Sequence, residues 1–424
     1  MSGLDHVTGL VCVICGVSYP IADSGYVCPA HPEVGSGNEG ILDVRYDYEL
    51  VGSRISRQSL AADPTNTMWR YRALMPVAAD AVVPPLTVGW TPTYDAPRLA
   101  AALGVARVWV KDEGRQPTAS LKDRASAMAL VKAREKGAEV VTTASTGNAA
   151  AALSGLAASI GQENVIFVPE TAPEAKVTQL LAYGSTVALV KGNYDAAFDL
   201  CMQAAEEFGW YNRNTGFNPY MTEGKKTAGL EILEQLGWDA PEAIFVSVGD
   251  GSIIGGVHKA MKDAVALGWI ERTPRIFGIQ SAGSDYLVQA FESGEDVLTK
   301  APISAETVAD SISADLPRDR IKAMAAVTET GGSYLRVSDD EILAAVPTLA
   351  RGSGVFAEPA GAAAYAGLEV AAERGLVGAD DRVVVLSTGN GLKDIASAMK
   401  AVSAAGTEPM HILPTLESLK EALQ

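Results

Sequence analysis

The sequence predicts an α/β protein with two doubly wound, parallel-sheet units, and three observations carry that expectation. The first is a series of short apolar, mostly β-branched runs: Val108-Trp109-Val110, Val140-Val141, Val165-Ile166-Phe167-Val168, Thr186-Val187-Ala188-Leu189-Val190, Ile244-Phe245-Val246-Ser247-Val248, Ile276-Phe277-Gly278-Ile279 and Arg382-Val383-Val384-Val385-Leu386. Continuous apolar runs, as opposed to alternating ones, suit parallel strands covered by helices on both faces. The second is that Ala-rich helical stretches such as 125–136 and 195–208 lie between them. The third is that glycine-bearing turns follow three of the runs: Ser145 to Asn148, Gly249 to Gly256 and Ser387 to Gly391. Ligands bind at such strand-to-helix turns in open α/β sheets.

Composition sets limits on partners. With 424 residues, 48% hydrophobic and 20% charged, the chain can bury a large core. Its formal net charge of −17 repels nucleic acid and anionic membranes, so neither is expected as a partner. An anionic substrate would need a local positive site working against that field. No apolar run approaches the roughly 18 residues that span a bilayer. Met1 to Leu10, with Asp5 and His6, does not read as a secretory signal, so a cytoplasmic location is expected.

The glycine turns have a physical use. A helix N-terminus presents unpaired N–H groups and the positive end of the dipole, and glycine lets an anion come close to the backbone. Gly249-Asp250-Gly251-Ser252-Ile253-Ile254-Gly255-Gly256 is the richest of the three. It lacks the Gly-Lys-Ser/Thr ending of a nucleotide P-loop and matches the dinucleotide fingerprint only in part. A tight turn packed on a helix is its plainer reading. Lys122 stands where a helix is expected to begin. It is either a solvated lysine or an amine of lowered pKa able to attack an aldehyde.

Taken in order, Ser120-Leu121-Lys122-Asp123-Arg124, Ser145-Thr146-Gly147-Asn148, the Gly249–Gly256 loop and Ser387-Thr388-Gly389 resemble the motifs of the second fold type of pyridoxal-phosphate enzymes, and within it those of the threonine synthases. Gly89-Trp90-Thr91-Pro92, Glu223-Gly224-Lys225-Lys226-Thr227, Phe356 to Ala362 and Thr388 to Asp394 extend the likeness in collinear order along nearly the whole chain. The resemblance implies a PLP-dependent conversion of O-phosphohomoserine and water to threonine and phosphate by a homodimer. Lys122 would hold the cofactor and shuttle protons, and Asn148 would bond the cofactor's phenolic oxygen. The turn Ser145, Thr146, Gly147 and Asn148 would receive the substrate carboxylate. Gly249, Asp250, Gly251, Ser252 and Ile253 would cradle the cofactor phosphate through backbone N–H groups, and Thr388 would face the pyridine nitrogen. The implied division is a knuckle over 1–47, a large domain over 48–118 and 230–424, and a small domain over 119–229.

Threonine synthases usually carry Phe at the position of Leu121 and Gly at that of Ala125, and often Asn at those of Asp250 and Ser252. An aspartate beside a phosphate dianion is unfavourable unless its side chain turns away or binds a backbone N–H. Other replacement or elimination enzymes of the fold stay open: cysteate synthase, O-phosphoserine-dependent cysteine synthase, and threonine or serine ammonia-lyase. The last motif lies near Gln424, so no C-terminal regulatory domain is expected. A non-catalytic binding module is a further reading, against which Lys122, Asn148 and Thr388 together argue.

Three of the four cysteines fall in the first 28 residues. Cys12-Val13-Ile14-Cys15 and Cys28-Pro29-Ala30-His31 have a spacing suited to a structural, tetrahedral zinc with His31 as fourth ligand; a knuckle held by turns alone is the alternative. Cys201 reads as a core residue and His258 as a packed or surface helix residue. Lys225 and Lys226 read as a solvated pair, with contact to a substrate phosphate as the alternative.

Overall fold

The computed structural model describes residues 3–21, 25–31, 40–406 and 408–423. Part of the segment expected as a knuckle, 22–24 and 32–39, lies outside the described residues. In chain order the strands are β1 (Val7–Cys12), β2 (Ser18–Tyr19), β3 (Leu42–Tyr46), β4 (Thr93–Asp95), β5 (Arg107–Asp112), β6 (Val140–Ala144) and β7 (Glu163–Pro169). They continue with β8 (Thr186–Val190), β9 (Tyr211–Asn212), β10 (Ala243–Ser247), β11 (Arg275–Ser281), β12 (Tyr334–Val337) and β13 (Arg382–Ser387). Among the described residues they form three sheets: an antiparallel ribbon β2-β1-β3, a six-stranded sheet β12-β11-β10-β13-β5-β4, and a four-stranded sheet β8-β7-β6-β9. The two larger sheets are parallel except for β4, which runs antiparallel to β5 at one edge. The expected α/β class with two parallel sheets and a small N-terminal ribbon is therefore the observed one.

The centre of the large sheet explains its sequence. Ile244, Phe245 and Val246 pair in register with Val384, Val385 and Leu386, and all six are fully buried. Phe245 and Phe277 stack with ring centroids 4.7 Å apart. The helix Pro359–Glu373 packs on this sheet with alanine and glycine facing it. A Cβ added at Gly367 would lie 2.3 Å from Ile279 Cδ1, so the helix lies as close as a bare Cα allows.

The helix Tyr220–Gln235 is buried from Tyr220 to Leu233 although it carries Glu223, Lys225, Lys226 and Glu231. Lys226 Nζ lies 2.6 Å from Glu223 and 2.8 Å from Asp263. Lys259 joins the same cluster, 3.1 Å from Glu223 and 2.9 Å from Asp43 of the ribbon, and the Tyr46 hydroxyl donates to Glu223. The solvated pair expected at Lys225 and Lys226 is thus overturned. Charges are normally exposed unless partnered, and the partners come from elements distant in sequence.

The tetrapeptide Ser-Thr-Gly-Asn occurs twice, over 145–148 and 387–390, each time where a strand ends, and it is used in two ways. The first copy ends at Asn148, the first residue of the helix Asn148–Ala158. The second does not open an α-helix: Asn390 caps the short turn Gly391–Lys393 by accepting from Leu392 N–H at 3.0 Å, and the segment bridges to Ser120 and Ala357. No described helix is long and apolar enough to cross a membrane.

Candidate active site

Lys122 is the first residue of the helix Lys122–Glu135. The chain reaches it through Ala119, held at φ +66°, a left-handed conformation that costs a non-glycine residue roughly 1 kcal/mol or more. Two backbone bonds pin this turn to the second tetrapeptide: Leu121 N–H donates to Thr388 O at 2.9 Å, and Asn390 N–H to Ala119 O at 3.0 Å. Below it, the Arg124 guanidinium sits between Glu113 and Glu231, 2.7 Å from an oxygen of each, and Lys111 Nζ is 2.8 Å from Glu231. All four side chains are fully buried. Asp123 accepts from Thr118 N–H and Oγ1–H at 2.8 and 2.6 Å, and burial raises its pKa to about 6. The residues flanking Lys122 are thus fixed from both sides. Its own amine is pushed down from the usual lysine range, first by burial and then by Arg213, with Asp250 and Glu358 opposing. A lysine in that state is more readily neutral and nucleophilic.

The cavity in front of Lys122 is lined by Asn148, Thr215, Lys225, Ser247, the 249–253 loop, Glu358 and Thr388. It runs into a second compartment of about 410 Å³ through the shared walls Asn148, Ser311, Glu358 and Ala360. Thr146, Gly147, Lys176 and Lys393 line that outer part, and Lys176 bridges at 2.6 Å to Asp310. Ser145 lines neither compartment. Its N–H donates to Phe167 O at 3.1 Å, and its Oγ lies 3.2 Å from Gly147 N.

Two helices point their N-termini at this space without a side-chain cap: Asn148–Ala158 behind Gly147, and Ser252–Ala266 behind Gly251. Elsewhere Asn193, Ser338 and Thr415 cap helices in the ordinary way. Gly251 has φ +93°, and a Cβ there would meet Ala323 Cβ at 2.7 Å. At Gly249 it would meet Ile312 Cα at 2.8 Å, so the 309–323 segment presses directly on the loop. The Asp250 carbonyl accepts from Asp319 N–H at 2.8 Å, and its carboxylate lies 3.5 Å from Arg318 N, one of the two escapes open to an aspartate there.

Glu358 was only part of a motif in the sequence, yet it faces the cavity. Asn148 Nδ2 donates to its Oε1 at 2.7 Å, and burial lifts its pKa to about 7. A Cβ at Gly389 would come within 2.2 Å of the same oxygen, so the glycine is what admits the carboxylate. Nothing in the sequence marks Arg213 as a site residue, whereas Lys225, whose alternative reading is contact with a substrate phosphate, lines the cavity. His258 is packed against Glu329, 3.3 Å away, and Cys201 is a core residue beside Thr142 and Asn214.

The residues around Lys122 fit a polar, phosphate-bearing cofactor. Ser120 Oγ, Ser247 Oγ, Ser387 Oγ and Arg213 Nη2 are buried polar atoms with no hydrogen-bond partner among the described residues. Such groups are costly unless a ligand or water satisfies them. Two uncapped helix N-termini add anion-binding donors.

At the other end of the molecule, ligand atoms of Cys12, Cys15, Cys28 and His31 lie within 4.8 Å of one another. Cys15 and Cys28 sulfurs are 3.9 Å apart, and Ile14 N–H points at Cys12 Sγ from 3.4 Å. Ligands about 2.3 Å from a tetrahedral centre lie about 3.8 Å from each other. Gly40 has no room for a Cβ, which would sit 2.5 Å from Cys28 Cβ.

The fold and the site define a class. Residues 85–389 match the family model described as pyridoxal-phosphate dependent enzyme, and the chain belongs to that family. It is similar to the threonine synthase of Methanocaldococcus jannaschii, 36% identical over 416 residues that cover 97% of this chain and 98% of that one. It is also similar to the threonine synthase of Methanosarcina acetivorans, 35% identical over 415 residues, 98% of each chain. Within the pyridoxal-phosphate enzymes, the chain is a member of the threonine synthase family. Among solved structures, threonine deaminase isoform 2 from Solanum lycopersicum superposes with a TM-score of 0.65 at 25% identity, covering 75% of this chain and 88% of that one. Maize serine racemase, with a TM-score of 0.60 at 22% identity over 75% and 94%, shares the fold.

Proposed function

We propose that the chain converts O-phosphohomoserine and water to threonine and inorganic phosphate, with Lys122 as the residue that holds the cofactor and moves protons. The observation that carries this is the meeting, in one cavity, of a buried amine of lowered pKa, two uncapped helix N-termini and the unpartnered Ser247 hydroxyl. When bound, pyridoxal phosphate supplies an electron sink next to the substrate Cα.

The reaction removes one proton from Cα and one from Cβ, releases phosphate from Cγ, protonates Cγ, adds hydroxyl at Cβ and returns a proton to Cα. Lys122 is the base and acid for these transfers, since its amine can be neutral in the buried site and lies at the cavity wall. Thr146, Gly147 and Asn148 bind the substrate carboxylate at the N-terminus of Asn148–Ala158. The 249–253 loop holds the cofactor phosphate, Thr388 faces the ring nitrogen, and Glu358 orients the Asn148 amide at 2.7 Å. In the ribbon, Cys12, Cys15, Cys28 and His31 hold a structural zinc, with four protein ligands leaving no open position. A homodimer and a cytoplasmic location belong to the same reading.

The test is to incubate the purified protein with O-phosphohomoserine, and separately with O-phosphoserine, and to measure phosphate and amino acid. Threonine with stoichiometric phosphate is expected from the first. No turnover of O-phosphohomoserine would sink the reading and favour a β-replacement enzyme. Lys122→Ala should lose both turnover and borohydride trapping of the cofactor; an active variant would remove Lys122 from its role.

A further inference from the structure

Against the chain's net charge of −17, three cations cluster at this end of the cavity, two of them, Lys122 and Lys225, in its wall. Besides Lys122 they are Arg213 and Lys225, each 1% exposed. Lys225 Nζ donates to Ser252 Oγ at 2.7 Å, at the first residue of the uncapped helix Ser252–Ala266, and to Thr215 Oγ1 at 3.1 Å. Arg213 Nη1 donates to the same Thr215 hydroxyl at 3.3 Å and Nε to Ser126 Oγ at 3.2 Å, while Nη2 has no partner among the described residues. Among the described residues, both cations donate only to hydroxyls. The other buried cations nearby are neutralised within the chain: Arg124 by Glu113 and Glu231, Lys111 by Glu231, and Lys226 by Glu223 and Asp263.

We infer that Arg213 and Lys225 form a seat for a phosphate monoester dianion, between Thr215 and Ser252 and beside the 249–253 loop. This rests on the function proposed above and adds side-chain cations to a loop otherwise read as acting through backbone N–H groups. Burial, Lys122 and Arg213 together hold the Lys225 amine well below its usual range, and a dianion would reverse that. The same chemistry is offered by two phosphates, that of the cofactor and that of the substrate. The competing occupant is Asp319, a buried carboxylate whose Oδ1 is unpartnered and which acts on Lys225 from longer range.

The experiment uses the full chain and the variants Lys225→Met, Lys225→Arg and Arg213→Gln. Absorbance titration of the apoprotein gives Kd for pyridoxal phosphate and for pyridoxal, which lacks the phosphate. Calorimetry of the holoenzyme gives Kd for inorganic phosphate, and kinetics give KM for O-phosphohomoserine. If the cofactor's phosphate occupies the seat, Lys225→Met weakens pyridoxal phosphate binding at least tenfold and leaves pyridoxal unchanged. If the substrate's phosphate does, cofactor affinity holds while Kd for inorganic phosphate and KM rise at least tenfold. Lys225→Arg should recover most of either loss. Unchanged binding of all these ligands would overturn the inference and leave Lys225 as the counter-ion of Asp319. Lys225→Gln, which can still bond Ser252, replaces the Met variant if that one does not fold. A wild-type chain that makes no threonine, yet loses phosphate affinity on substitution, would keep the seat and sink the substrate.

Discussion

Lys225 and Lys226 are adjacent, identical in type and equally buried, and they face opposite fates. Lys226 has two carboxylates within 2.8 Å. Lys225, turned by about 100° on the same helix, has two hydroxyls and an adjacent loop that opens a helix. A buried ion pair is roughly balanced against its desolvation, whereas a lone buried charge is not. The first lysine therefore belongs to the architecture of this protein, and the second is legible as part of a site that a ligand completes.

The sharpest way to break that comparison is equilibrium urea unfolding of the apoprotein. Lys226→Met leaves Glu223 and Asp263 without their shared cation and should cost about 3–5 kcal/mol. Lys225→Met strands no carboxylate at contact distance and should change stability by less than about 1 kcal/mol or raise it. Equal losses would erase the distinction.

A second test concerns a carboxylate on the far side of the same cavity. Burial holds Glu358 at about 7 against an ordinary 4.5, so between those values the folded chain keeps a proton that the unfolded chain has released. Its contribution to stability is full below about pH 4.5 and is lost as pH rises through 7. In the apoprotein, Glu358→Gln should therefore gain on wild type by roughly 3 kcal/mol between pH 4.5 and pH 8. A flat difference would mean that the carboxyl is ionised in the fold. The smallest effect belongs to the exposed pair of Arg107 and Asp95, 2.9 Å apart and about half exposed: Asp95→Ala should cost less than about 1 kcal/mol in the same assay.

Much of this is readable in the amino-acid sequence. The β-branched runs became β5 to β8, β10, β11 and β13, because a strand buried on both faces announces itself by composition, and the partly exposed edge strand β8 carries the same signature. Lys122, Asn148, the 249–253 loop and Thr388, picked out by motif, line one cavity. The short edge strands β4, β9 and β12 were not legible, since two to four residues carry no period. Neither were Glu358 and Arg213, nor the burial of Lys225. Whether a charge is buried, and what faces it, depends on segments far away in the chain: Asn148 lies 210 residues from Glu358, and Ser252 lies 27 from Lys225. The tetrapeptide ending at Asn390 misled for the same reason, because its partners Ser120 and Ala357 are remote.

The ribbon's attachment has a consequence for modularity. Asp43 and Tyr46 supply part of the coordination of Lys259 and Glu223, and Lys259 rides on the helix whose first turn opens into the cavity. Cutting the chain after residue 47 would not trim a dispensable appendage; it would unbalance an interior ledger shared with the catalytic half. The two parts are thus not interchangeable cassettes, and a chimera that borrows the ribbon from a relative must bring an acid for Lys259 and a hydroxyl for Glu223 along with it.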